Sequence, residues 1–270
     1  MNFLKKRKAF QQEIKENAFT PNGKPNYAYY VMTQQEKVFY SIIGVIIFAL
    51  MGYTFYRNII VAAVVGAIGL LFPDYMYNVL LKRRKTNLNI QFKDLLYSIS
   101  SSLSAGKSVE RAFIEAPADL KMMYPDDDTD IIRELGYIIN GLGLNETIES
   151  LMADLAQRSG DEDIQSFADV FASCKRTGGN LIDVVRITSN IISDKIEIKR
   201  EIAAGLVEKK FEQKGMCALM LLMILGLTYM SGDYMDPMFT TVKGRIAMTV
   251  AFAMFIISYF VGEKITNIEV

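Results

Sequence analysis

The chain has 270 residues, 51% of them hydrophobic, with 30 Lys and Arg balanced by 30 Asp and Glu. Zero net charge leaves no global basic field to recruit nucleic acid. There is no histidine, which removes the usual proton shuttle near neutral pH and the commonest metal ligand.

The N-terminus carries Lys5, Lys6, Arg7 and Lys8 and then a polar stretch, unlike a cleaved signal, which needs an apolar core after its basic residues. The first charge-free run is Val38 to Tyr56, bounded by Lys37 and Arg57, about the length that one bilayer crossing requires. Phe39, Tyr40, Tyr53 and Tyr56 fall at its ends, where aromatic rings favour the membrane interface. A second run starts at Asn58, is interrupted by Pro73 and Asp74, and resumes from Tyr75 to Leu81. Only Arg57 and a neighbour separate the two runs, which predicts a tight hairpin over 38–81. Asp74 reads as an interfacial acid, because a basic cluster follows it closely; its alternative is the lining of a transport path.

Residues 82–214 read as a water-solvated helical domain. Phe92, Leu95, Leu96, Ile99 and Leu103 recur at helical spacing, and Ala105-Gly106 ends that segment. Ser108 is a candidate cap for a short helix with Val109, Ala112 and Phe113, after which Pro117 and Pro125 bracket a predicted loop. Asp128 or Thr129 is expected to cap a helix bearing Ile131, Ile132, Leu135, Ile138 and Ile139. Asn145 is expected to cap the next, bearing Ile148, Leu151, Met152 and Leu155. Asp161 to Thr177 follows, with Ile164, Phe167, Val170 and Phe171 on one face. Gly178-Gly179 breaks it, and Asn180 caps a long helix predicted to run from Leu181 into a third apolar run. That run spans Gly215 to Gly232 and a fourth spans Ile246 to Val261, with a short polar loop between them holding Asp233, Asp236, Lys243 and Arg245. Four such runs in two pairs are hard to bury without lipid.

The fold class expected is therefore an all-α membrane protein: an antiparallel helical bundle (82–214) between two transmembrane hairpins (38–81 and 215–262), with an N-terminal segment 1–37 and a tail 263–270. Basic residues set the orientation. Seven fall within residues 1–37, the cluster Lys82, Arg83, Arg84 and Lys85 follows the first hairpin, and Lys209, Lys210 and Lys214 precede the second. This excess places both termini and the central domain on the cytoplasmic side.

The chemistry-bearing motifs dissolve on inspection. Gly106-Lys107-Ser108 lacks the earlier glycine and leading strand of a phosphate loop and reads as a turn with a cap. Asp126, Asp127, Asp128 and Asp130 suggest a calcium loop, but Ile131 and Tyr137 stand where glycine and the closing glutamate belong. They read as acids favouring a helix N-terminus. Gly141-Leu142-Gly143 is a turn after a helix. The Met-rich runs (Met216, Met220, Met223, Met230, Met248, Met254) read as packing or lipid-facing residues rather than a metal path. Cys174 and Cys217 read as two free thiols on or near the reducing side. No cofactor and no enzymatic activity are expected.

The segment Phe92 to Phe113, with its Ser-rich helix and Ala105-Gly106 turn, resembles the opening of the type II secretion F domain. Phe167 to Glu208, with Ala172, Cys174, Gly178-Gly179, Leu181 and the charged stretch Asp194 to Glu201, is similar to that domain's second half. The resemblance covers roughly residues 75–232. One such domain between two helical hairpins looks most like the TadB/TadC-like platform proteins of Tad pili. The resemblance implies a cytoplasmic (inner) membrane platform of a type IV (Tad-like) pilus or type II secretion-like machine. Its implied partners are a hexameric secretion ATPase, pilin subunits, the lipid membrane, and a paralogous F-domain protein or a second copy. A small polytopic transporter or channel subunit is the competing class; a membrane receptor is weaker, for want of an output domain.

Overall fold

The computed structural model describes residues 12–14, 16–126, 128–230 and 232–266. Lys5 to Lys8, Asp127, the side chain of Asp233 and the last four residues of the expected tail lie outside the described residues. Among those described the chain is helical, and the only extended pairing is an isolated antiparallel bridge between Phe19 and Pro25. It divides into two compact units, one of Met1–Val31 with Tyr77–Glu197, the other of Met32–Met76 with Ile198–Val270.

The second unit begins with α1 (Gln34–Tyr56), opened by a capping box in which Thr33 and Glu36 satisfy each other's backbone amides. Arg57 closes it in the left-handed conformation, φ 42°, and Asn58 at once caps α2 (Ile59–Ile68). A two-residue reversal is thus sufficient, because each residue satisfies the helix end it faces. A 3-10 turn, Gly69–Leu71, leads without a break into α3 (Phe72–Ser104), with Asp74 in its first turn.

The hairpin is held by close approach of small residues. A methyl on Gly52 would stand 3.0 Å from Val65 Cβ, one on Gly66 3.1 Å from Ala49 Cβ, and one on Gly44 would collide with the Gly69 carbonyl. Dispersion between closely apposed backbones does here what water cannot do in a bilayer.

The same unit contains the apolar part of α8 (Leu181–Met230), then α9 (Gly232–Thr240) and α10 (Val242–Thr266). The stretch expected as a polar loop is thus mostly the short helix α9, with Pro237 inside it. Backbone amides left unpaired next to lipid are costly, and a helical turn satisfies them. Phe55, Met248 and Phe255 are buried together, with Phe252 4.9 Å from Phe55 between ring centres. Arg57 pairs with Asp236 at 2.9 Å, tying the two hairpin turns.

Outside this small core the unit shows apolar surface. Ile59, Ile60, Val64, Leu222, Met230 and Phe260 are exposed, as are Met216, Met223 and Met254. Among the described residues four helices are long and apolar enough to cross a membrane: Gln34–Tyr56, the run Ile59–Ser104, Leu181–Met230 and Val242–Ile265. Such surface is unaffordable in water and natural in hydrocarbon. The chain is an all-α membrane protein.

The other unit is an ordinary water-type core. Leu88, Phe92, Leu95, Leu96, Ile99 and Leu103 from α3 are buried against α4 (Val109–Met123), α5 (Asp130–Gly143), α6 (Ile148–Ser159), α7 (Glu162–Thr177) and the first turns of α8. Phe92 and Phe167 meet edge to face at 5.4 Å, a preferred aromatic geometry. Val185 and Ile192 seat α8, and Ser189 reaches the Lys93 carbonyl at 3.5 Å.

Three expectations about this unit are corrected. Pro117 lies inside α4 instead of opening a loop. The buried stripe Val109, Ala112, Phe113, Ala116 and Leu120 continues across it, so burial outweighs the backbone bond that proline forfeits. Asn145 does not cap α6. It follows α5 at φ 61°, with the Glu146 amide donating to the Gly141 carbonyl and the Asn145 amide to that of Leu142. That is a helix C-terminal motif with asparagine in the left-handed seat, and Thr147 supplies the cap of α6 instead. Val170, assigned to the apolar face of α7, is exposed.

Candidate functional site

Of the basic cluster after the first hairpin, Lys82 and Arg83 are exposed and Arg84 and Lys85 are half-buried. Arg84 donates two hydrogen bonds to Asp130, at 2.8 and 2.9 Å, and Lys85 reaches the Gly160 carbonyl at 3.4 Å. Half of the cluster thus fastens α3 to the helical unit. The predicted turn glycines do what their positions require. Gly106 and Gly178 have φ of 82° and 72°, accessible to glycine without strain. Gly179 has no such φ, but a methyl there would stand 2.8 Å from Cys174 Sγ. Both cysteines are free thiols.

The aspartate run is an ion-pair cluster. Asp130 accepts from Arg84 and Arg133, and Asp128 accepts from Arg133 at 3.1 Å. Thr129 stands at the N-cap of α5, yet its hydroxyl donates back to the Asp126 carbonyl at 2.6 Å. Among the described residues no group of three or more His, Cys, Asp or Glu is arranged to hold a metal.

A second polar cluster is one that the sequence did not announce. Residues 18–31 form a strap: the Thr20–Lys24 turn brings Phe19 against Pro25, and the Asn26 amide donates to the Ala18 carbonyl. This turn delivers Tyr27, fully buried, to the N-terminal half of α5, where its hydroxyl donates to Glu134 at 2.8 Å. Glu134 is also fully buried and accepts a two-pronged pair from Arg158 of α6, at 2.7 and 2.5 Å. Arg158 donates further to the Pro25 carbonyl at 3.0 Å and to Asp154 at 3.1 Å, while the Tyr27 amide donates to the Arg158 carbonyl at 2.8 Å. Lys24 closes the outside through Asp154 at 2.8 Å. Arg84 lies 4.7 Å over the Tyr27 ring, a cation–π contact.

Burial alone would lower the Arg158 guanidinium, but the hydrogen bonds and charge of Glu134 outweigh it and hold it above its usual value. Burial first, then the charge of Glu134, pushes the Tyr27 phenol well above the ordinary tyrosine range. The group therefore stays a donor to Glu134 at every physiological pH. The arrangement offers neither a nucleophile with a base nor a vacant donor set. Its donors and acceptors are spent on holding a strap of chain to two helices, so it acts as a mechanical lock.

The lock has a pH signature. A folded-state pKa above the unfolded value of about 10 gives stability that is complete below that pH and lost as pH rises above it. Tyr27→Phe should lower the unfolding free energy at neutral pH by about 1–3 kcal/mol, since Glu134 loses a donor while buried. It should also flatten the alkaline decline. Denaturant titrations of wild type and variant across this range check both; an unchanged alkaline limb in the variant rejects the assignment.

No family model, no curated protein and no solved structure matches this chain.

Proposed function

We propose that this protein is a non-enzymatic membrane platform of the type II secretion F-domain class, working in a Tad-like pilus or secretion machine. In this reading it lies in the cytoplasmic membrane with both termini and the helical unit inside. Helices α3 to α8 there form an antiparallel bundle that engages a hexameric ATPase, and pilin subunits pass from the bilayer to the filament beside the spans. The reading rests on the residues that resemble the F domain. A paralogous F-domain protein or a second copy of the chain completes the platform.

The observation that supports this reading most is the extent of α8. Its early residues Val185 and Ile192 are core residues of the helical unit, and from Gly215 it is an apolar span. Between them, residues 198–212 are mostly exposed. A helix with no break transmits rotation or tilt, because every residue is fixed to the next turn by backbone hydrogen bonds. Residues Leu181 to Lys214 are accordingly assigned as the lever.

A Gly-Pro insertion after Ala204 interrupts those bonds, at about 3 kcal/mol for proline in a helix interior. It should abolish piliation, by electron microscopy of the cells, while immunoblots show normal protein and the ATPase still co-purifies. Normal piliation rejects the lever. Failure of the intact protein to co-purify with any secretion ATPase, with substrate flux by the protein alone in proteoliposomes, would favour the transporter class instead.

A further inference from the structure

At the turn end of the second unit, a cleft of about 110 Å³ opens among the end of α1, the start of α2, α9 and the start of α10. Its apolar wall includes Phe55, Val61, Phe239 and Met248, and its polar edge carries Asn58 and Arg245. Arg245 uses Nε on the Phe239 carbonyl, at 2.9 Å, which fixes the plane of its guanidinium. Among the described residues no acid pairs with its two terminal nitrogens; Asp236, from the same turn, is paired with Arg57. The fit of α10 against α9 shapes the cleft: a methyl on Gly244 would stand 2.5 Å from the Pro237 carbonyl oxygen and from Met238 Cα.

The geometry points to a binding site for an anionic phospholipid, its phosphodiester on Arg245 and one acyl chain along Val61, Phe239 and Met248. A free anion would gain nothing from that apolar wall, and an uncharged lipid nothing from the arginine. The cleft also lies where the exposed apolar residues Ile59, Ile60, Ile246 and Val250 adjoin the charged turns, the level at which headgroups sit. A planar guanidinium with both terminal nitrogens left to donate presents one bidentate edge to a phosphodiester. With a cation at its polar edge and no acid among the described lining residues to receive a choline ammonium, the site favours a headgroup of net negative charge over a zwitterionic one.

The test uses the full chain, delipidated in a neutral detergent and titrated with phosphatidylglycerol, phosphatidylcholine or inorganic phosphate, with bound adducts counted by native mass spectrometry. Phosphatidylglycerol should bind at least about tenfold more tightly than phosphatidylcholine, and inorganic phosphate should neither bind nor displace it. Arg245→Gln should weaken phosphatidylglycerol binding by about tenfold or more, the range expected for a lost charge-assisted bond. Arg245→Lys should recover part of that loss, and Lys264→Gln, a control at the far end of α10, should leave binding unchanged. Gly244→Ala should weaken binding by displacing α9. Equal binding by wild type and Arg245→Gln overturns the assignment, as does phosphate binding as well as the lipid. Partial recovery by Arg245→Lys separates a lost site from a misfolded one.

Discussion

Replacing Glu134 by alanine should destabilise the helical unit by about 3–5 kcal/mol, the cost of stranding one partner of a buried ion pair. Glu134 is fully buried, and its removal leaves Arg158 with its two-pronged acceptor gone and Tyr27 without a receiver for its proton. Asp154 remains at 3.1 Å but is more than a third exposed, so it neutralises Arg158 only weakly. Arg158→Ala should cost a similar amount, by orphaning Glu134 and freeing the Pro25 carbonyl. The triple change Tyr27→Phe, Glu134→Leu and Arg158→Met should recover most of the loss, since it replaces the buried pair and the hydroxyl that depends on it by apolar groups. The two single variants should also raise amide exchange at Tyr27, whose N–H donates to the Arg158 carbonyl. If each single variant loses less than about 1 kcal/mol by denaturant titration, a small fraction of that expected for such a pair, the strap is not locked as described.

The first hairpin should respond to glycine substitution in a graded order set by what each new methyl meets. Gly69→Ala and Gly44→Ala direct it into opposing backbone, which cannot rotate away, so each should cost at the upper end of the usual 1–3 kcal/mol for overpacking. Gly52→Ala meets Val65 Cβ at 3.0 Å and Ala62 Cα at 3.1 Å, a milder overlap that a shift of a few tenths of an ångström between the helices relieves, so its loss should be smaller. Gly226→Ala meets nothing within 4 Å and should be neutral or stabilising, since alanine is the better helix former. The midpoint of thermal aggregation in detergent ranks the four. If Gly226→Ala falls as far as Gly69→Ala, the close approach of α1 to the Gly69 turn is not what holds the hairpin.

Much of the secondary structure was legible because it depends on local rules. Ser108, Asp161 and Asn180 stand at helix starts because a short polar side chain there accepts a backbone amide whatever lies far away in the chain. Gly106 and Gly178 terminate helices for an equally local reason. The spans were legible from uninterrupted apolar length. Pro117 and Asn145 were misread because each has two local meanings. Proline breaks a helix unless burial on both sides carries the helix through, and asparagine caps the start of a helix or seats its end. Only packing against the neighbouring helices chose between them.

The strap is the clearest case of what local rules miss. Nothing around Tyr27 singles it out for burial: Tyr29 and Tyr30 beside it read the same in sequence, and the residues that satisfy it, Glu134 and Arg158, lie 107 and 131 positions along. The same holds for Arg84, which by position is a topology determinant and by contact a partner of Asp130, 46 residues away. Periodicity records which face of a helix avoids water, and the run of apolar residues records which solvent surrounds it, so the all-helical membrane character was settled by the amino-acid order alone. Which charge meets which is a matter of chain returns in three dimensions, and a carboxylate reads identically in sequence whether water or a buried arginine satisfies it. The lock at Glu134 and the lipid-facing cleft at Arg245 therefore emerged only once the helices had been brought together.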